Sequence, residues 1–282
     1  MTNGRRVLVT GAAGAIGRNL RRGLKPDCSL MRLTDIRDLG EAGPGETCEV
    51  ADLADLDAVI RLCDGVDAVI HLGGALGAIR KDGVVVGETP WETVLQSNIV
   101  GTYNVFEAAR RQGVRRVVYA SSIHAHGFYR IATPVGLDSP PRPDTRYGLS
   151  KAFGEAAGRY YADKFGLQVV ALRIATYKER PTQIRDLRTW LSPDDMVALA
   201  RCALDYPDTH FDILWGVSAN TRGLYENPNA VRYGYFPKDD AERFRDELLK
   251  DPGSADDSAF ERMFHAAHLA STEWAGDVSK IT

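Results

Sequence analysis

The chain has 282 residues, with 35 Lys and Arg against 38 Asp and Glu and a formal net charge of −3. That length suits one α/β domain with a small appendage, and so even a charge balance gives no electrostatic basis for binding nucleic acid or an anionic membrane surface. Cys28, Cys48, Cys63 and Cys202 show neither CxxC nor metal-ligand spacing, no stretch approaches the ~20 apolar residues a bilayer demands, and the polar start MTNGRR leaves no room for a signal peptide; the expectation is a soluble, cytoplasmic protein without a metal.

Short apolar runs alternate with helical patterns along the first 175 residues. Val7-Leu8-Val9-Thr10 ends a strand over 6–10 and runs directly into GAAGAIG, followed by a helix over 15–25. Strand, glycine-rich turn and helix in that order form a dinucleotide fingerprint. Gly11, Gly14 and Gly17 let backbone approach a pyrophosphate, with Ala15 and Ile16 at the amino-terminal turn of the helix that faces it. A second strand over 30–35 closes on Asp35, 18 residues past Gly17, where a carboxylate meets adenosine ribose hydroxyls. Asp35 argues for NAD by repelling a 2′-phosphate, and Arg37 argues mildly the other way, since a guanidinium there can pair with that phosphate.

Further strands are expected at 46–50, 67–72, 115–121 and 168–174, and helices at 55–63, 90–112 and 145–165. Such alternation implies a doubly wound parallel sheet, with ligands outside the carboxyl ends of its strands. Ser122 ends the fifth strand and stands 25 positions before Tyr147, while Tyr147 and Lys151 share a helix face in YGLSK. A phenol titrates near 10 in water, and a neighbouring ammonium lowers that value. A serine hydroxyl beside it can hold the same substrate oxygen. Beyond about residue 175 prolines punctuate the chain, and Ser192-Pro193 starts a helix through Ala203. The expected partition is a Rossmann domain over 1–175 with a small, intertwined substrate lobe and tail over 176–282, including a short helix near 257–270. Trp91, Trp190 and Trp215 read as packing residues, His71 and His126 as structural.

TGAAGAIG, Ser122 and YGLSK together resemble the extended short-chain dehydrogenase/reductase superfamily, whose glycine signature is TGxxGxxG. Within it, HLGG at 71–74, ASSIHAHGFY at 120–129, TWLSPDD at 189–195, WGVSAN at 215–220 and KDDAERFR at 238–245 resemble the uronate (hexuronate) dehydrogenases over roughly residues 5–250. The resemblance implies a catalytic set of Ser122, Tyr147 and Lys151. It implies Asp52 and Leu53 beside the adenine, and Leu72, Gly73 and Gly74 along the cofactor, with Asn98 structural or on the cofactor side. Ser122, the position of Ile123, His124, Tyr147, Thr176 and Arg185 would face the sugar acid, the arginine taking its carboxylate. Two departures fall on the substrate side: Ile123 stands where an asparagine is usual, and Ala75–Thr89 is longer than expected, without the serine expected near Leu76.

The function implied is NAD-dependent oxidation of C1 of a hexuronic acid to an aldarolactone. Three alternatives stay open: a dehydrogenase of another aldose (phosphorylated, sulfonated or neutral), a nucleotide-sugar epimerase or dehydratase, and a non-catalytic dinucleotide sensor. A homo-oligomer through helices 90–112 and 145–165 is a superfamily expectation.

Overall fold

The run Val7-Leu8-Val9 is buried on both faces, as the central strand of a parallel sheet must be. The computed structural model describes residues 4–82, 84–254, 259–266 and 269–281. The chain passes through β1 (Arg5–Thr10), α1 (Ala15–Gly23), β2 (Cys28–Asp35), β3 (Glu46–Val50), α2 (Leu56–Cys63) and β4 (Ala68–His71). A separate antiparallel hairpin follows, β5 (Ala78–Lys81) and β6 (Val84–Glu88). Then comes α3 (Trp91–Val94), which widens into a π-helical stretch at Leu95–Val100 and continues as α4 (Gly101–Arg111). The second half brings β7 (Arg116–Ser122), α5 (Arg146–Phe165), β8 (Gln168–Ile174), the two-residue ladder of β9 (Thr176–Tyr177) and β10 (Trp190–Leu191), α6 (Asp186–Thr189), α7 (Pro193–Asp205), β11 (Phe211–Gly216), α8 (Pro228–Tyr233) and α9 (Arg245–Lys250).

Seven parallel strands pair in the order β11-β8-β7-β4-β1-β2-β3. The chain starts at β1, winds outward through β2 and β3, then returns to build the other half from β4. The winding therefore reverses between β1 and β4, which are paired side by side from Val7↔Ala68 to Thr10↔His71. That reversal opens a crevice above the strand ends, where ligands of such sheets bind. One face of the sheet packs on α1, α7 and α8 through Leu20, Met196, Leu199 and Tyr233; the other packs on α2, α4 and α5 through Val59, Phe106 and Tyr161.

The doubly wound sheet agrees with the sequence reading, and every expected strand through 174 is present within two residues. Differences lie elsewhere. The alternation goes on for one more unit, because α7 leads into β11, which pairs with β8 along its whole length. The expected helix near 257–270 falls partly outside the described residues, and its described part holds a 3₁₀ turn at Glu261–Met263. Trp190 and Trp215 are fully buried, but Trp91 is 40% exposed at the start of α3, so it is not a packing residue.

Candidate active site

The loop after β1 is shaped by backbone crowding. Gly11 has φ +68°, and a Cβ there would lie 2.7 Å from the Gly73 nitrogen; one at Gly17 would lie 2.4 Å from the Gly11 carbonyl oxygen. Only glycine satisfies both conditions. Gly14 caps α1 in an extended conformation with no side-chain cap and no acidic residue in the first turn. The amide groups at this end therefore face the crevice without an internal anion, which suits a phosphate.

Asp35 ends β2 and is buried. Burial alone would raise its pKa, yet the Arg37 side chain and the amides of Arg37 and Ala13 hold its carboxyl below the usual range. The contacts are short: Ala13 N at 3.0 Å and Arg37 Nε at 3.1 Å. Asp52 accepts the Ala54 amide at 2.9 Å in the turn after β3. Gly73 and Gly74 follow β4.

A cavity of about 790 Å³ runs over these strand ends. Its wall includes Gly11, Gly14, Ala15, Ile16, Gly17, Asp35, Asp52, Leu53, Leu72, Gly73, Gly74, Ser122, His124, Tyr147 and Lys151. The structure thus gathers most of the residues singled out by sequence. Four stand off this wall. Asn98 is buried behind it, bonding Ala75 on both sides of its amide (2.7 and 3.1 Å) and Ser150 at 3.0 Å, so it pins the loop after β4 to α5. Ile123 packs with Trp215 and Val217. Thr176 bonds Thr189 at 2.9 Å, and Arg185 donates to Gln183 at 2.9 Å.

Tyr147 occupies the first turn of α5, whose start is fixed by Thr145 accepting the Gly148 amide at 2.9 Å. One helical turn on, the Lys151 ammonium donates to the Ala120 carbonyl at 2.7 Å and lies 5.3 Å from the Tyr147 ring centroid. Burial pushes the Lys151 pKa down to about 8. Burial also pushes the Tyr147 phenol up to about 12, against a hydrogen bond from Ser122 that favours the phenolate. The sequence reading expected a lysine-depressed phenol. Burial dominates instead, and the Asp144 charge adds to it, so the phenol stands above its usual value even with the ammonium close by. His124 packs edge-on to Tyr147, its Nδ1 bonded to Asp144 at 2.8 Å.

His71 is held between the Thr10 and Thr102 hydroxyls, and His126 bonds the Ser139 carbonyl, so both serve structure. Among the described residues no three His, Cys, Asp or Glu side chains gather as metal ligands. Contributors to the wall that sequence reasoning missed include Arg80 from the hairpin, Thr93 and Ser97 from the helix after it, and Leu269 from the tail. The β-branched run Val84-Val85-Val86 was the available signal for the hairpin.

A glycine loop and an acidic strand end at the winding reversal, facing a Ser-Tyr-Lys set across one cavity, define a short-chain dehydrogenase/reductase type of protein. Residues 7–177 match the model of the NAD dependent epimerase/dehydratase family, and the chain belongs to that family. It is 43% identical over 253 residues to a uronate dehydrogenase of Pseudomonas syringae pv. tomato, covering 89% of this chain and 88% of that one. It is 36% identical over 259 residues to an NAD-dependent glucose-6-phosphate dehydrogenase of Haloferax volcanii, covering 84% and 95%. Its fold is similar to the crystal structure of uronate dehydrogenase from Agrobacterium tumefaciens, with a TM-score of 0.88 and 39% identity over 95% of this chain and 97% of that one.

Proposed function

We propose that the chain oxidises the anomeric C1 of a hexuronic acid such as glucuronate or galacturonate, with NAD, to the aldarolactone. The observation that carries this is the shared cavity, in which the Ser122 and Tyr147 hydroxyls meet beside the glycine loop. Similarity to uronate dehydrogenases over most of the chain supports the substrate class. A cytoplasmic location fits this reading, and no helix among the described residues is long and apolar enough to cross a membrane.

The residues present fit NAD: the loop at Gly11 and Gly17 has no room for a Cβ, and the buried Asp35 carboxylate stands at the end of β2. The amides after Gly14 would hold the pyrophosphate, Asp35 the adenosine ribose, Leu53 the edge of the adenine, and Lys151 the nicotinamide ribose. Bound NAD supplies the acceptor for the hydride that leaves C1.

The chain's own groups handle the proton and the orientation. Tyr147 takes the proton of the C1 hydroxyl, and Ser122 donates to the same oxygen as it becomes a carbonyl. The Tyr147 phenol stands near 12 with Lys151 already beside it, so to act as a base at neutral pH it needs further positive charge, such as the nicotinamide ring of NAD would bring. His124, oriented by Asp144, stands beside the phenol to bind a sugar hydroxyl. Arg185 is proposed to meet the carboxylate, using binding energy remote from C1. Tyr147→Phe should lower the NADH production rate by roughly 10²–10⁴-fold with NAD binding retained; a variant keeping most of its rate would remove Tyr147 as the base.

The runner-up is another anionic or neutral aldose, favoured by Leu76, whose apolar side chain is 77% exposed at the cavity. A sugar panel followed by NADH absorbance separates the two.

A further inference from the structure

Three consecutive residues at the end of β7 are each tied to one face of α5. The Ala120 carbonyl accepts from Lys151, the Ser121 hydroxyl donates to Glu155 at 2.5 Å, and the Ser122 hydroxyl bonds Tyr147. Tyr147, Lys151 and Glu155 follow one another at four-residue spacing, so they form one row along the helix. The first two belong to the proposed catalytic set. Ser121, Ser122, Tyr147 and Lys151 line the cavity, whereas Glu155 is not on its wall.

Glu155 is buried, and so is its partner. Arg173 of β8, which pairs with Ser121 in the sheet register, grips the carboxylate with two arms, Nε to Oε1 at 3.0 Å and Nη2 to Oε2 at 2.9 Å. Its third nitrogen donates to the Gly136 carbonyl at 3.3 Å, in the loop between β7 and α5, and its guanidinium lies 5.3 Å from the centroid of the Trp215 ring. Such a fork fixes both oxygens of the carboxylate in space. A buried ion pair contributes little net stability, since apolar side chains of similar volume commonly serve as well or better. What the pair supplies here is direction. Oε1 is shared between Arg173 and Ser121, so the strand end is held at one distance and in one register from the helix.

Resting on Tyr147 as the base of the C1 oxidation above, we infer that Glu155, anchored by Arg173, is a positioning residue that acts through Ser121 to hold Ser122 in line with the Tyr147 phenol. Ser122 adjoins Ser121 in the strand, and its hydrogen bond favours the phenolate over the phenol. A hydrogen bond weakens steeply as its angle opens, and a catalytic set works within about 0.5 Å of its productive geometry. Without Glu155 the strand end would let Ser122 drift, and the phenolate would form only at higher pH. The ionisable groups that face the phenol are Lys151 on its own helix, Tyr119 on β7, and His124 and Asp144 from the segment between β7 and α5; the hairpin root presents Gly77, which carries no charge. None of these groups hydrogen-bonds Ser121, whose hydroxyl is given to Glu155.

The test follows NADH formation from D-glucuronate or D-galacturonate, whichever the full chain oxidises faster, between pH 6 and pH 10. It compares the wild type with Ser121→Ala, Ser121→Thr, Glu155→Asp and Tyr147→Phe, and measures NAD affinity separately by calorimetry. Ser121→Ala should lower kcat at pH 7 about tenfold and move the rise of kcat upward by about one pH unit, with KM and NAD affinity unchanged. Glu155→Asp, which keeps the charge but withdraws the carboxylate by one methylene, should shift the profile the same way. Ser121→Thr, which keeps the hydroxyl, should restore most of the rate. A Ser121→Ala protein with the wild-type kcat and pH profile overturns the inference, as does a rate lowered equally at every pH in step with a lowered melting temperature. A Tyr147→Phe protein that keeps its rate overturns the reading of the base, and the positioning role with it.

Discussion

Lys151 is 5% exposed, and its pKa of about 8 lies well below the ordinary 10.5. Burial is the cause, and a single carbonyl bond does not replace the lost hydration. Its folded pKa lies under the unfolded one, so its contribution to stability is fully present above 10.5 and is lost as pH falls through 8. The difference amounts to about 3 kcal/mol. Denaturation of the wild type and of Lys151→Met at pH 8 and pH 10 should show the wild type gaining on the variant as pH rises; a constant gap would place the ammonium in water. The cost is consistent with a residue kept for function. Residue identity was legible at such points because chemistry or sterics admits few types: glycine where φ is +68°, an acid at the end of β2, the tyrosine and lysine one turn apart. What those residues do to one another was not legible, since the rise of the Tyr147 phenol depends on burial that no spacing reveals.

The amino terminus of α5 carries Tyr147 in its first turn, so the cap that starts the helix also positions the phenol. Thr145→Ala removes the hydroxyl that accepts the Gly148 amide and should cost about 1 kcal/mol, read as a lowered denaturation midpoint. A reduced kcat should accompany it, because the first turn frays toward the cavity; a stability loss with kcat unchanged would separate the cap from the catalytic geometry. Helices and parallel strands of this kind were legible because both faces of the sheet are covered and the apolar runs are continuous. The hairpin was not. Its strands pair only with each other, one side faces solvent with Val84 and Val86 exposed, and such a segment reads as a long loop. Arg80 was hidden for the same reason, since a charge in a loop is ordinary until the fold sets it beside the cavity.

At the scale of the molecule, stability should fall in mild acid. Burial holds His71 neutral, with help from the Lys151 charge, at a pKa of about 3, and burial holds His126 at about 4, both below the usual 6.5. Each stabilises the fold above 6.5 and loses that contribution as pH drops, by about 1.4 kcal/mol per unit per histidine. Melting temperatures between pH 7 and pH 5 should decline, and His126→Gln should flatten the slope; an unchanged slope would assign the acid sensitivity elsewhere. The order of the winding was legible from the alternation of elements, whereas β11 was not, because Asp212 and the surrounding prolines break its apolar pattern. The wide turn at Leu95–Val100 has a consequence of its own. It sits between β4 and β7 and contains Asn98, which ties the loop after β4 to α5. A helix advances about 100° per residue, so deleting one residue there would tighten the turn, rotate everything ahead of it and swing that amide off its partners. Chain length is consequently fixed in this stretch, and a lineage could lengthen the hairpin tip freely while keeping this count constant.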